Sequence, residues 1–252
     1  MGLLKLLGKI SGGLLFTLFL SLFVLCIVML SITEYSNAEE IFTDVYVKAV
    51  KSQMGEQQIK DLYNAAVLAC ENKENITVPL GNESMTFSCS DITSSNSTDI
   101  PYLVARKSFN VFYYKDYGCD FLDCVQNIKS PEDATIFFSS TGNAFFNKLL
   151  LYVIAGTIIS GLILLASIET WMERFQAFGS EFLFIGVMYF LIPYGKQFAT
   201  QQFPAEVRPI VDSIVDLVFS SVSKILLIFF IAGLLLIAIV LINKYFPKKK
   251  EE

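Results

Sequence analysis

The chain has 252 residues, 54% of them hydrophobic and only 17% charged, where a soluble domain carries about 25% charge. Its formal net charge of −5 argues against a nucleic-acid partner, and the complete lack of histidine removes the commonest general base and excludes Ser-His-Asp and Cys-His nucleophile systems. No P-loop and no G-x-G-x-x-G is present, so the expectation is a protein that is not an enzyme and binds no cofactor.

The charge deficit is local, which is the membrane pattern. Residues 10–33 form a run of 24 uncharged positions preceded by Lys5 and Lys9. About 20 residues of helix cross the hydrocarbon, so 1–33 reads as a short cytoplasmic N-terminus and a first crossing. Ser36-Asn37-Ala38 offers a small-residue cleavage site, but the apolar run exceeds the length of a signal peptide, which favours a retained anchor. Cys26 lies within the run as a small apolar residue.

Residues 34–147 hold most of the charges and the other four cysteines, Cys70, Cys89, Cys119 and Cys124. Four cysteines in an extracytoplasmic domain read as two disulfides, with three pairings open. Local loop closure favours Cys70 with Cys89 and Cys119 with Cys124, and sequence does not exclude a crossed arrangement. The absence of histidine and the cysteine spacing argue against a metal site. Asp120 and Asp123, between two cysteines, read as solvating a tight loop rather than as catalytic carboxylates. The N-x-[S/T] sequons at Asn75, Asn82 and Asn96 fall in the most polar stretch, as candidate glycosylation sites or as unmodified polar loop.

Within this domain a helical pattern over 38–54 extends the first crossing, and Gly55 interrupts it. Ile59, Leu62, Tyr63, Ala66, Val67 and Cys70 then trace one helix face. Short strands are expected at 76–80 and 85–89. The 104–114 segment fits strand or helix. Ser130-Pro131-Glu132-Asp133 resembles a helix start leading into the second crossing.

The second crossing is 148–168. Its Gly156-x3-Ser160 step lets helices approach closely. A cytoplasmic loop, 169–181, follows, with Trp171, Phe175 and Phe178 suited to the headgroup level. The third apolar run, 182–195, has only 14 residues and contains Pro193. Charge decides how it reads: with Lys5 and Lys9 inside, an even number of crossings keeps the C-terminal lysines inside as well. It therefore reads as a short crossing, extended through interfacial aromatics. An extracytoplasmic amphipathic segment, 196–224, carries an apolar stripe from Val207 to Phe219 and a polar one through Asp212, Asp216, Ser220 and Lys224. In an oligomer Asp212 and Asp216 would ring a pore mouth; in a monomer they are a solvated helix face. The fourth crossing, 225–243, ends in the basic tail 244–252. Lys249 and Lys250 stand fourth and third from the end, as in a di-lysine retrieval signal or a simple stop-transfer cluster. On this reading no charged residue lies inside the membrane.

The expected fold class is thus an α-helical integral membrane protein. It has four crossings and a disulfide-stapled, mostly helical extracytoplasmic domain, with minor β-structure, between the first and second. The layout resembles that of claudin-like proteins, but their tryptophan motif ahead of a cysteine pair is missing. The single tryptophan, Trp171, lies in the 169–181 loop. The Cys-Cys-Gly motif of tetraspanins is also missing. Expected partners are the lipid bilayer and a protein, either another chain or a second copy. The expected location is the plasma membrane with both termini cytoplasmic, or alternatively the endoplasmic reticulum. Three roles fit: an adhesion, structural or accessory subunit; a homo-oligomeric pore; and a membrane sensor.

Overall fold

In a computed structural model of the protein, residues 2–80, 83–128, 133–201 and 208–245 are described. The chain divides into two compact units, one of residues 32–144 and one of residues 1–31 with 145–252.

The second of these is a helical bundle. Its helices are α1 (Gly2–Thr33), α7 (Ser140–Ser167), α8 (Trp171–Gln201) and α9 (Arg208–Tyr245), the first two of which run on into the other unit. Each contains a stretch long and apolar enough to cross a membrane: Leu6–Thr33, Ser140–Ser167, Trp171–Phe198 and Val222–Tyr245. That is the make-up of an integral membrane protein. Close approaches give the helix directions. A Cβ at Gly12 would meet the backbone of Leu164, and one at Gly156 the ring of Phe19, so α1 and α7 run antiparallel. Gly179 lies against Leu236 and Ile237, and Gly186 against the backbone of Phe230, so α8 and α9 are antiparallel too. The bundle centre is Phe16, Leu20, Ile185 and Leu226, flanked by Phe178, Phe182 and Phe229. Phe16 meets Phe178 edge-on at 5.0 Å.

The third crossing differs most from the expected one. The loop expected at 169–181 is helix from Trp171 onward, and α8 continues through Pro193 to Gln201. The cause is a cap. Thr170 Oγ1 accepts the Glu173 backbone N–H at 3.3 Å, and the Arg174 N–H donates to the Thr170 carbonyl at 3.1 Å. Thr170-Trp171-Met172-Glu173 thus has the residues of a capping box. Arg174 Nε donates back to the Ile168 carbonyl at 3.0 Å, so the end of α7 is satisfied as well and the connection needs only 168–170. The amphipathic segment does run straight into the fourth apolar run: α9 is one helix from Arg208 to Tyr245, while residues 196–201 end α8. Pro204, Val207 and Lys248 to Lys250 lie outside the described residues.

The 32–144 unit begins where α1 ends. Glu34 is extended, with φ −62° and ψ 133°, and α2 (Tyr35–Gln53) starts afresh after it. The carbonyl freed at Thr33 accepts the Tyr113 hydroxyl at 3.0 Å, and Thr33 Oγ1 accepts Asn143 Nδ2 at 3.0 Å. Burial pushes the Tyr113 phenol up, which keeps it protonated as that donor. Gly55 separates α2 from α3 (Glu56–Ala69), and its N–H donates to the Gln58 side chain at 3.1 Å.

A hairpin follows, β1 (Asn75–Leu80) paired antiparallel with β2 (Glu83–Ser88), Ile76 opposite Phe87. Short helices α4 (Cys89–Ser94) and α6 (Phe121–Gln126) flank α5 (Ile100–Tyr113). Residues 104–114 are therefore helix, and the burial pattern explains it. Pro101, Ala105, Ser108, Phe109 and Tyr113 are buried at helical spacing. The helix start expected at Ser130 and Pro131 lies outside the described residues. A 3-10 turn at Asp133–Phe138 comes next, and Ser139 caps α7, its Oγ accepting the Gly142 N–H at 3.2 Å.

Two small cores hold this unit. One joins Cys70, Met85, Phe87, Cys89 and Ile92. The other packs Ala38 of α2 against Phe109 and Tyr113 of α5. Cys70 and Cys89 stand at disulfide distance, Cα to Cα 5.4 Å, as do Cys119 and Cys124 at 5.7 Å. These are the local pairs that loop closure favours. The closed loops differ in length, with sequence separations of 19 and 5. Replacing Cys70 and Cys89 together by serine should therefore cost about 3 kcal/mol, and the Cys119 and Cys124 pair about 2 kcal/mol. Denaturant midpoints of the two double variants of the full chain check the order.

Candidate functional site

The 32–144 unit presents a polar face where α2 packs on α5. Glu39 of α2 and Arg106 of α5 form an ion pair at 4.0 Å in the middle of this face. A groove lies on each side of it. One, of about 450 Å³, is lined by Glu39, Glu40, Thr43, Asp44, Tyr102 and Arg106. The other, of about 400 Å³, is lined by Met85, Thr86, Lys107, Asn110 and Val111 with the same ion pair. The first has three carboxylates against one guanidinium. Helical spacing explains them: Glu40 and Asp44 are four apart on α2, and Glu39 and Thr43 make the neighbouring row. Lys48 pairs with Asp44 at 2.7 Å, and Lys51 lies 5.5 Å from the centre of the Tyr102 ring.

Thr43 stands apart in this groove. It is 7% exposed, and its Oγ1 has no hydrogen-bond partner among the described residues. An unpaired buried hydroxyl costs about 1–3 kcal/mol, where a helical threonine ordinarily bonds the carbonyl one turn back. Sequence reading did not single out this face, because its residues look like an ordinary solvated helix surface until α5 is placed against α2.

The bundle holds a second polar feature, also missed. Glu181, expected to close the 169–181 loop, lies inside the apolar stretch of α8, and the Thr17 hydroxyl of α1 donates to its carboxylate. The Gly13 carbonyl, 2.9 Å from the same oxygen, is the alternative acceptor for that one proton. Eight residues N-terminal on both helices, Lys9 pairs with Glu173 at 3.7 Å. The equal offsets show that α1 and α8 run parallel. Glu181 therefore falls within the candidate span Trp171–Phe198, as do Glu173, Arg174 and Lys196. The signal was in the sequence: 182–195 is too short to cross alone, so the crossing had to extend over a charged neighbour.

Asp212 and Asp216 lie in the first half of α9. Asp216 is exposed and bonded to Lys196 of α8, and Asp212 is half-buried one turn earlier. They are thus not two equivalent free carboxylates in a row. Of the sequon asparagines, Asn75 opens β1 and Asn96 precedes α5, both exposed; Asn82 lies outside the described residues. No family model matches the chain, and no curated protein and no solved structure is similar to it.

Proposed function

We propose that this is a membrane-anchored interaction protein, an adhesion, structural or accessory subunit that recognises a partner protein through the 32–144 unit. The observation that carries the reading is the α2–α5 face: an acidic groove with an unpaired buried Thr43 hydroxyl, on a unit that has its own cores and two disulfide-distance cysteine pairs. Such a groove suits a partner presenting a lysine or arginine beside a hydroxyl acceptor or donor. The lysines flanking the crossings, Lys5, Lys9 and Lys244, support cytoplasmic termini and an outward-facing 32–144 unit. On that orientation Asn75, Asn82 and Asn96 are available for glycosylation. The plasma membrane is the proposed location, with the endoplasmic reticulum as the alternative.

The test is the mass of the gently extracted native complex, resolved into its components, for the wild-type chain and for Glu40→Lys with Asp44→Lys. A second protein at fixed stoichiometry, lost in the double variant, is the expected result. A lone chain, or a partner retained in full by the double variant, overturns the reading. A closed ring of identical copies would instead favour a pore, with Asp212→Asn and Asp216→Asn as the next substitutions and reversal potential as the readout.

A further inference from the structure

We propose that Glu181 is an intramembrane docking point for a partner transmembrane helix that carries a lysine or arginine within its apolar span. The depth of the carboxylate comes first. Between Glu181 and Lys196 there are 14 uncharged positions, about 21 Å of helix at about 1.5 Å per residue. The hydrocarbon is about 30 Å thick. A crossing by α8 therefore draws one of its two flanking charges into the bilayer. Lys196 has a long side chain that reaches outward, and it is bonded to Asp216 of α9. Glu181 is shorter and is tied to Thr17, which lies eight residues past Lys9 within the uncharged run 10–33 of α1. Eight residues of helix are about 12 Å. The carboxylate thus sits well inside the apolar level set by α1, not at its edge.

Its partners come second. The charges at the ends of α8 are matched: Glu173 by Lys9, Lys196 by Asp216, while Arg174 stacks 4.8 Å from the Trp171 ring and bonds the Ile168 carbonyl. Among the described residues Glu181 has one hydrogen bond, from Thr17, and no cation. A carboxylate has about four acceptor positions, and an ionisable group left short of partners in hydrocarbon is expensive and marks a function by default.

Access comes third. The buried side of the α1–α8 contact is filled by Phe16 against Phe178 and Phe182. Thr17 and Glu181 lie at the edge of that contact, both half-buried. Leu14 and Leu18 of α1 and Phe184 of α8, at the same level, are exposed. A second helix laid along this seam reaches Glu181 past small residues: Gly13, Thr17 and Ser21 follow one another at four-residue steps on α1. A cationic side chain on that helix would supply the charge that this chain does not. The inference is separate from the recognition proposed for the 32–144 unit, because the contact involves the bundle alone.

The experiment uses the full chain in phosphatidylcholine vesicles and a synthetic single-span probe. The probe is a Leu/Ala-rich 20-residue helix with one lysine eight positions from its end, and its control has leucine there. Energy transfer between the labelled chain and the labelled probe reads association. The lysine probe should associate with the wild-type chain and with Glu181→Asp, and about tenfold more weakly with Glu181→Gln, which keeps the shape and the Thr17 bond. The leucine probe should match the weak case. Equal association of the lysine probe with wild-type and Glu181→Gln, equal association of both probes with wild-type, or none at all, overturns the proposal. The probe has no counterpart to the 32–144 partner, so its failure leaves that reading untouched.

Discussion

Gly186→Ala should separate α8 from α9 and destabilise the bundle by about 3 kcal/mol, the upper end for inserting one methyl group into a packed interface. The reason is what the methyl meets. A Cβ at Gly186 would run into the backbone N and Cα of Phe230, not into the tip of a side chain that rotates away. Only a shift of the whole helix relieves such a contact. Gly233, on the facing side of the same crossing, has a Cβ position 2.7 Å from the backbone N of Leu183, so the two glycines make one close approach from both sides. Gly195→Ala is the control. Its Cβ would lie 3.7 Å from the Phe219 ring, ordinary contact, and alanine in a helix interior is favoured over glycine by about 0.5–1 kcal/mol. Thermal unfolding of both variants in the same detergent checks the contrast: a large fall for Gly186→Ala, and no fall or a small gain for Gly195→Ala.

Phe109→Ala should cost about 3–5 kcal/mol, the range for removing a large buried aromatic side chain, and open the α2–α5 face. Phe109 is 3% exposed. It touches three other rings, Tyr35 at 5.4 Å, Phe42 at 5.5 Å and Tyr113 at 5.4 Å, and so ties α2 to α5. Tyr114→Ala, at a side chain 61% exposed that reaches Tyr35 at 5.8 Å, should cost less than about 1.5 kcal/mol. Limited proteolysis of the full chain across a denaturant series reads both. Cleavage within α2 and α5 should move to much lower denaturant for Phe109→Ala only. Because Glu39, Thr43 and Arg106 lie on these two helices, the same variant should lose partner binding together with the fold. The charge variants at Glu40 and Asp44 should lose binding alone.

How much of this was legible in the sequence depended on whether the signal was local. The cysteine pairs were legible because each closes a short loop. The hairpin strands were legible to within a few residues because β-formers alternate on either side of a turn-rich stretch. The three strongest crossings were legible because an uncharged run needs no partner to identify it. The 104–114 segment was ambiguous because Val104, Phe109, Val111 and Phe112 put apolar groups on more than one face. Only the packing against α2 and β2 selects helix. The helix that carries the third apolar run begins earlier than the expected loop allowed, because a run of charges and aromatics over 169–181 resembles a loop by composition. The Thr170 and Glu173 spacing was the local clue that it is not. The α2–α5 groove and the Thr17–Glu181 contact were illegible in kind, since each joins residues from distant parts of the chain. Thr17 and Glu181 are 164 residues apart.

The joint at Thr33 sets an order of events during synthesis. Its carbonyl is satisfied by a hydroxyl 80 residues downstream and its side chain by an amide 110 residues downstream. When α1 and α2 leave the ribosome, neither partner has been made. Glu34, where the first helix gives way to the second, makes no side-chain cap bond. The two long-range bonds at Thr33 close only once Tyr113 and Asn143 exist to make them. A translation intermediate that ends before Asn143 lacks one of the two bonds at Thr33, and one that ends before Tyr113 lacks both.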